Sequence, residues 1–252
     1  MTILPETQHF VYYDAPDGSQ EFMEFRLIYR GHLPAEGRGG GRAKEKQFIR
    51  KGFHKQLREL WKQQPDLRAQ SENRFVNLGA RDETFYLDRA IRPGSNIIVP
   101  ATGSLAADPG AKTWMEHIAE DHQRCGGRFV PLVTKAGGFT CSLDILFLRR
   151  DNPGGLIVKG ADGGDIDNRI KVLFDGLKMP ETVSDLGGLP LESDENPFFC
   201  LLEDDSLITS VTITTDRLLL ERDSEEKRND VYLIIHVTVL NPSALFAGNR
   251  LA

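Results

Sequence analysis

Residues 162–178, DGGDIDNRIKVLFDGLK, narrow the choices more than any other stretch of the chain. Ile170, Leu173, Phe174 and Leu177 fall at i, i+3, i+4 and i+7, the spacing of a helix that buries one stripe. The pattern predicts a helix with Asp167 or Asn168 as its N-cap. Asp165 and Asp167 then stand at the helix mouth, where free N–H groups and the helix dipole favour negative charge. Lys171 lies one turn inside, and Asp175 one turn further.

A second acidic element follows at 200–214, CLLEDDSLITSVTIT, which reads as β-rich. Period-two parity groups Asp205 with Leu207, Val211 and Ile213, and Asp204 with Ile208, Ser210, Thr212 and Thr214. Asp205 is therefore expected to point toward the helix-packing side, although a bulge at 203–206 would reverse the assignment. A carboxylate facing a packed surface is costly unless compensated. Carboxylates that converge repel one another, and a divalent cation with oxygen preference, Mg²⁺ above all, is the simplest neutraliser. Each motif alone also has an ordinary reading, as helix capping or as turn chemistry. An EF-hand loop starting at Asp165 fails, because Ile170 stands at its glycine position and Gly176 at its closing glutamate.

The remainder fits one α+β domain, a mixed β-sheet packed with helices. The chain has 252 residues, of which 40% are hydrophobic and 27% charged, enough for a substantial core. Residues 21–29 alternate as an opening strand, with Met23, Phe25, Leu27 and Tyr29 facing inward. A glycine-rich loop at 37–42 precedes a helix at 45–62 whose apolar face gathers Phe48, Phe53, Leu57, Leu60 and Trp61. Residues 63–110 are polar and broken by prolines, with short β-like runs such as Ile97-Ile98-Val99; they read as irregular edge structure or, taken to about 128, as an insertion. Residues 112–124 read as a helix. Strands at 129–133 and 139–147 are expected to pair as a hairpin through Gly137 and Gly138. A turn follows at 152–155. Cys125, Cys141 and Cys200 form no C-x-x-C pair, so they read as reduced, inert thiols. Neither a membrane-length apolar run nor a secretory leader is evident, and a cytoplasmic location is expected.

Charge is unevenly spread. Residues 26–62 hold eleven Lys/Arg and three acids, so this segment is +8 within a chain of net charge −6. Such an asymmetry permits a nucleic-acid surface on an acidic protein. The 178–199 link is acidic instead and reads as a surface insertion, or else as a cover over a site.

The pattern Asp165-x-Asp167-Asn168-x-x-Lys171-x-x-x-Asp175-x-Leu177, followed by Asp204-Asp205-Ser206-x-Ile208, resembles the RusA family of Holliday junction resolvases from bacteria and phages. The resemblance covers about 139–240 and, more loosely, the opening strand and basic loop. It implies a RusA-like fold and a Mg²⁺-dependent endonuclease, with Mn²⁺ able to substitute, that cuts four-way junctions or other branched DNA. By the same resemblance Asp165, Asp167 and Asp205 would be the metal ligands. Lys171 would be the catalytic lysine, Asp204 a lesser neighbour and Asn168 structural. Arg38, Arg42, Lys44 and Lys46 would lie on a flexible DNA-contacting loop, and the protein would act as a homodimer. This chain is longer and more acidic than the family's usual small basic members. Two other readings stay open: a non-catalytic DNA-binding or phage accessory protein of the same fold, and a metal-dependent hydrolase of small phosphates.

Overall fold

The computed structural model of the chain describes residues 13–14, 20–35, 41–80, 96–100, 109–150, 166–219 and 230–241. Strand β1 (Tyr13–Asp14) pairs with the start of β2 (Gln20–His32). The alternation read from the sequence holds in β2: Met23, Leu27 and Tyr29 are buried, Glu24, Arg26, Ile28 and Arg30 are exposed, and Phe25 is half-buried. Two further sheets begin with β3 (Arg74–Ala80), β4 (Asn96–Pro100) and β5 (Lys112–Thr113) in one, and with β6 (Gln123–Arg124) and β7 (Gly127–Val133) in the other. Then come β8 (Thr140–Arg149), β9 (Phe198–Leu202), β10 (Ile208–Arg217) and β11 (Asp230–Asn241).

The main sheet has five strands in the order β1-β2-β11-β8-β10. β11 runs antiparallel to both neighbours, while β10 runs parallel to β8. Register aligns Leu27, Ile235, Ile145 and Ile213 in one row across four strands. The first three are almost fully buried, and Ile213 packs against them at the sheet margin. Helices gather on this apolar face, because each strand hides every second side chain and one face must be covered. The described residues thus form an α+β structure, as the composition and pattern imply. Among them, no helix is long and apolar enough to cross a membrane.

Helix α1 (Ala43–Gln63) packs against β2 and β9 and against a second long helix, α4 (Ile166–Leu177). The buried stripe of α1 is Ile49, Phe53, Leu57 and Trp61. Phe48, assigned to this stripe from the sequence, is instead 67% exposed. Ile49, one residue on, takes the inward position, since adjacent helical residues are about 100° apart. Two shorter helices, α2 (Pro65–Glu72) and α3 (Trp114–Asp121), occupy part of the stretch read as an insertion. Pro65 opens α2 in the first turn, where a missing N–H costs no helical bond, and a Thr113–Glu116 capping box starts α3.

The expected hairpin at 129–147 does not form. β7 and β8 both exist, but β7 pairs with β6 and β9, whereas β8 pairs with β11 and β10. The turn at 135–138 carries the chain from one sheet to the next. The reason lies in β7 itself: Phe129 to Val133 are all buried, so the strand lies between layers and belongs beside the equally buried β9.

α1 and α4 approach closely at Gly176. A Cβ there would stand 2.5 Å from Ile49 Cγ2 and 2.9 Å from Ile49 Cβ. Gly176→Val is therefore expected to wedge the helices apart and cost about 1–3 kcal/mol, as overpacked cores do. Thermal denaturation would show this as a fall in Tm of several degrees. An unchanged Tm would mean that the helices do not meet there.

His54 fastens α1 to β9. Its Nδ1 accepts a hydrogen bond from the Phe199 N–H at 2.9 Å, and its ring stacks on Phe198 at 4.3 Å. The residue is 1% exposed. Arg169, on α4, is also fully buried and donates to the Leu33 carbonyl, tying the helix to the end of β2.

Candidate functional site

α4 begins at Ile166, so Asp167 and Asn168 lie inside its first turn rather than at the N-cap. Asp165, the residue before the helix, falls outside the described residues. Asp167 and Lys171 are both exposed, one turn apart, and Asn168 and Asp175 are half-buried. The expected inward stripe is present as Ile170, Leu173 and Leu177, with Phe174 half-buried and Val172 added.

The second acidic motif is built differently from its sequence reading. Asp205–Leu207 form a single 3-10 turn between β9 and β10, so the strand parity used for Asp205 does not apply. Val211, grouped with it as a core residue, is 40% exposed on the outermost strand of the sheet. Asp204 caps the turn, its Oδ1 accepting from the Ser206 N–H at 2.9 Å, and Lys135 Nζ lies 3.5 Å away. The Ser206 bonds, with help from Lys135, hold the Asp204 carboxyl down to about 2. The carboxylate thus holds the turn and stays charged at ordinary pH.

The turn bearing Asp205 packs against α4, so the two motifs that are distant in sequence are neighbours in space. Asp205 Oδ1 lies 3.6 Å from Lys178 Nζ, which also reaches Asp175 at 3.6 Å and Glu181 at 3.1 Å. Burial pulls the Lys178 ammonium down, but the Glu181 hydrogen bond and the Asp205 and Asp175 charges outweigh it, and its net pKa is raised. These pairs tie Asp205 to the C-terminal end of α4. Asp167 opens the same helix, about 12 Å from Asp175 along the axis at 1.5 Å per residue. Among the described residues, no three His, Cys, Asp or Glu side chains stand close enough to hold a metal ion. Asp167 and Asp205 are nevertheless oxygen donors of the kind Mg²⁺ takes, and both reach solvent.

Sequence reasoning missed Lys178 and Arg50. Arg50 donates from Nε to the Lys178 carbonyl and from Nη2 to the Asp175 carbonyl, each at 2.7 Å. It thereby satisfies carbonyls that the end of α4 leaves without helical partners. Lys178 could have been found from its i, i+3 spacing to Asp175. Nothing local in the sequence links Arg50 to a helix more than a hundred residues away.

Lys44 and Lys46 sit on α1, not on a flexible loop as expected. Lys46 is paired with Asp175 at 2.7 Å and is only 15% exposed, which removes it from any solvent-facing phosphate contact. Arg42 bonds Glu45 at 3.2 Å, Lys44 is exposed, and Arg38 lies outside the described residues. The acidic link docks along the same helix. Lys51 pairs with Glu195 at 2.8 Å and Glu192 at 3.0 Å, and Arg58 donates to the Asp194 carbonyl. Much of the cationic charge of α1 is thus neutralised within the chain. The cysteines are free thiols, and burial pushes Cys141 and Cys200 up to about 12.

No family model, curated protein or solved structure matches this chain.

Proposed function

We propose that the chain is a Mg²⁺-dependent endonuclease acting on branched DNA, with the four-way junction as its reference substrate. One observation carries the reading: the turn bearing Asp204 and Asp205 packs on the helix that presents Asp167 and Lys171 to solvent. This contact joins the element that carries the second half of the motif to the helix that carries the first.

In this reading Asp165, Asp167 and Asp205 hold the ion, which when bound supplies an activated water and neutralises charge on the phosphodiester. Lys171 offers its ammonium to the phosphate from one turn along α4, where a fixed cation stabilises developing negative charge. Asp204 keeps the turn in shape. A homodimer would present two such sites to the two-fold target.

A second reading has an observation of its own. Asp205 is engaged by Lys178, as expected of a carboxylate with a structural role in a non-catalytic DNA-binding protein. A synthetic four-way junction incubated with Mg²⁺, Mn²⁺ or EDTA separates the two. The nuclease reading expects paired nicks that require the divalent ion. Retardation of the junction without cleavage under any condition would replace it with the binding reading.

A further inference from the structure

α1 runs beside the edge of β2 that faces away from β11, and the two elements enclose an open groove of about 510 Å³. Its walls carry two large exposed apolar side chains, Phe48 at 67% and Ile28 at 47%. Single exposed apolar residues are commonplace, but two that face one groove make it a candidate binding surface. Lys44, Phe48, Gly52 and Gln56 follow one another at four-residue spacing along α1, one per turn on the same side. Gly52 leaves the middle of the groove open, since a Cβ there would meet nothing nearer than Tyr29 Cδ2 at 3.9 Å.

The rim is cationic. Lys44 and Arg30 line it, the Glu45 carboxylate is engaged by Arg42 at 3.2 Å, and the nearby Asp230 carboxylate faces His32 at 3.5 Å. An aromatic wall with cations beside it suits a flat base joined to a phosphate better than it suits an uncharged ligand. A peptide strand laid along β2 is disfavoured. The Gln56 amide already occupies this edge, accepting from the Ile28 N–H at 2.9 Å and donating to the Ile28 carbonyl at 2.7 Å.

We infer that this groove binds an unpaired deoxynucleotide, the base stacking on Phe48 beside Ile28 and the phosphate meeting Lys44. The inference rests on the DNA-binding part of the reading above and is independent of cleavage. It gives the substrate a feature that the acidic motifs do not specify, a base free of its partner.

Fluorescence anisotropy with labelled oligo(dT) and a blunt duplex of equal length, in EDTA, tests it. Phe48→Ala is expected to weaken oligo(dT) binding about ten- to a hundredfold, the usual worth of one stacked base. Gly52→Leu, which fills the groove from a position with room and improves helix propensity, should do the same. Phe48→Trp should retain binding, and duplex binding should stay as it is in every variant. Wild-type affinity in both Phe48→Ala and Gly52→Leu would overturn the proposal. So would equal losses on duplex, or a dimer that dissociates on Phe48→Ala while oligo(dT) binding persists. Asp167→Asn and Asp205→Asn should bind oligo(dT) normally, so failure of junction nicking would leave this result standing.

Discussion

Asp205→Asn is expected to reduce Mg²⁺-dependent nicking of a four-way junction at least about a hundredfold, because even the outer partners of metal ligands are commonly worth ten- to a hundredfold. The substitution removes a charge and preserves shape. Lys178 keeps Asp175 and Glu181 as partners, so the end of α4 stays anchored. The ion pair given up is long, at 3.6 Å, with Lys178 half-buried, and is worth on the order of 1 kcal/mol. Thermal melting and junction binding should therefore be close to wild type. Asp167→Asn, at the other end of the helix, should match it in activity. Asp204→Asn is the informative contrast: an amide oxygen can still accept the Ser206 N–H, so the turn and the nicking rate should both survive. Retention of half the wild-type rate by Asp205→Asn would sink the metal-ligand assignment. Equal losses for Asp204→Asn and Asp205→Asn would assign both residues to the turn's structure rather than to chemistry.

Acid is expected to weaken the protein through His54 well before the carboxylates titrate. Burial pushes the His54 imidazole down to about 4, with Glu195 opposing and Arg58 adding to the depression. The unfolded chain, with an ordinary histidine pKa, takes up a proton as pH falls through about 6.5, while the folded chain resists until about 4. Stability is therefore full above pH 6.5 and declines across the interval down to 4. At 1.36 kcal/mol per unit the total is about 3 kcal/mol. The geometry acts in the same direction as burial, because Nδ1 accepts the Phe199 N–H and a proton on that nitrogen would abolish the bond. Urea denaturation at pH 7.0 and pH 4.5 measures the effect. His54→Asn, which places an oxygen near the Nδ1 position and does not titrate, should be less stable at neutral pH and should flatten this part of the profile. An unchanged pH slope in His54→Asn would show that the decline arises elsewhere.

The strands and helices with strong periodicity were legible from the residues. In β2 the alternation places Met23, Leu27 and Tyr29 inward, and in α4 the i, i+3, i+4, i+7 spacing marks the buried stripe. Both signals arise from one face packing and one face wet, which leaves its period in the sequence. The strand at 129–133 was legible as well, but its partner was not, for the opposite reason. β7 is buried on all sides, carries no period, and its neighbour β9 lies about seventy residues away, so proximity in sequence suggested the wrong partner. Phe48 fits the apolar pattern of α1 yet is exposed, because a lone apolar side chain on a long helix does not say which face it occupies. At the candidate site, the acidic residues and their order were visible, whereas their counter-ions were not. Lys178, Arg50 and Lys46 are brought to α4 by helix packing that no local spacing encodes. The charge count of residues 26–62 was right as arithmetic, but Glu192 and Glu195 already claim part of that charge.

The parallel pairing of β8 and β10 fixes both ends of everything between them. Cys141 to Arg149 lie in register with Ile208 to Arg217. α4, the acidic link, β9 and the Asp205 turn all belong to the excursion that leaves β8 and returns beside it. Its exposed acidic stretch can grow or shrink without shifting the strands at which the excursion is rooted, whereas α4 and β9 are held by the shared core. The scaffold is thereby insulated from change in that stretch. New lengths, new charges and new substrates could be explored there over evolutionary time at little expense to the sheet beneath.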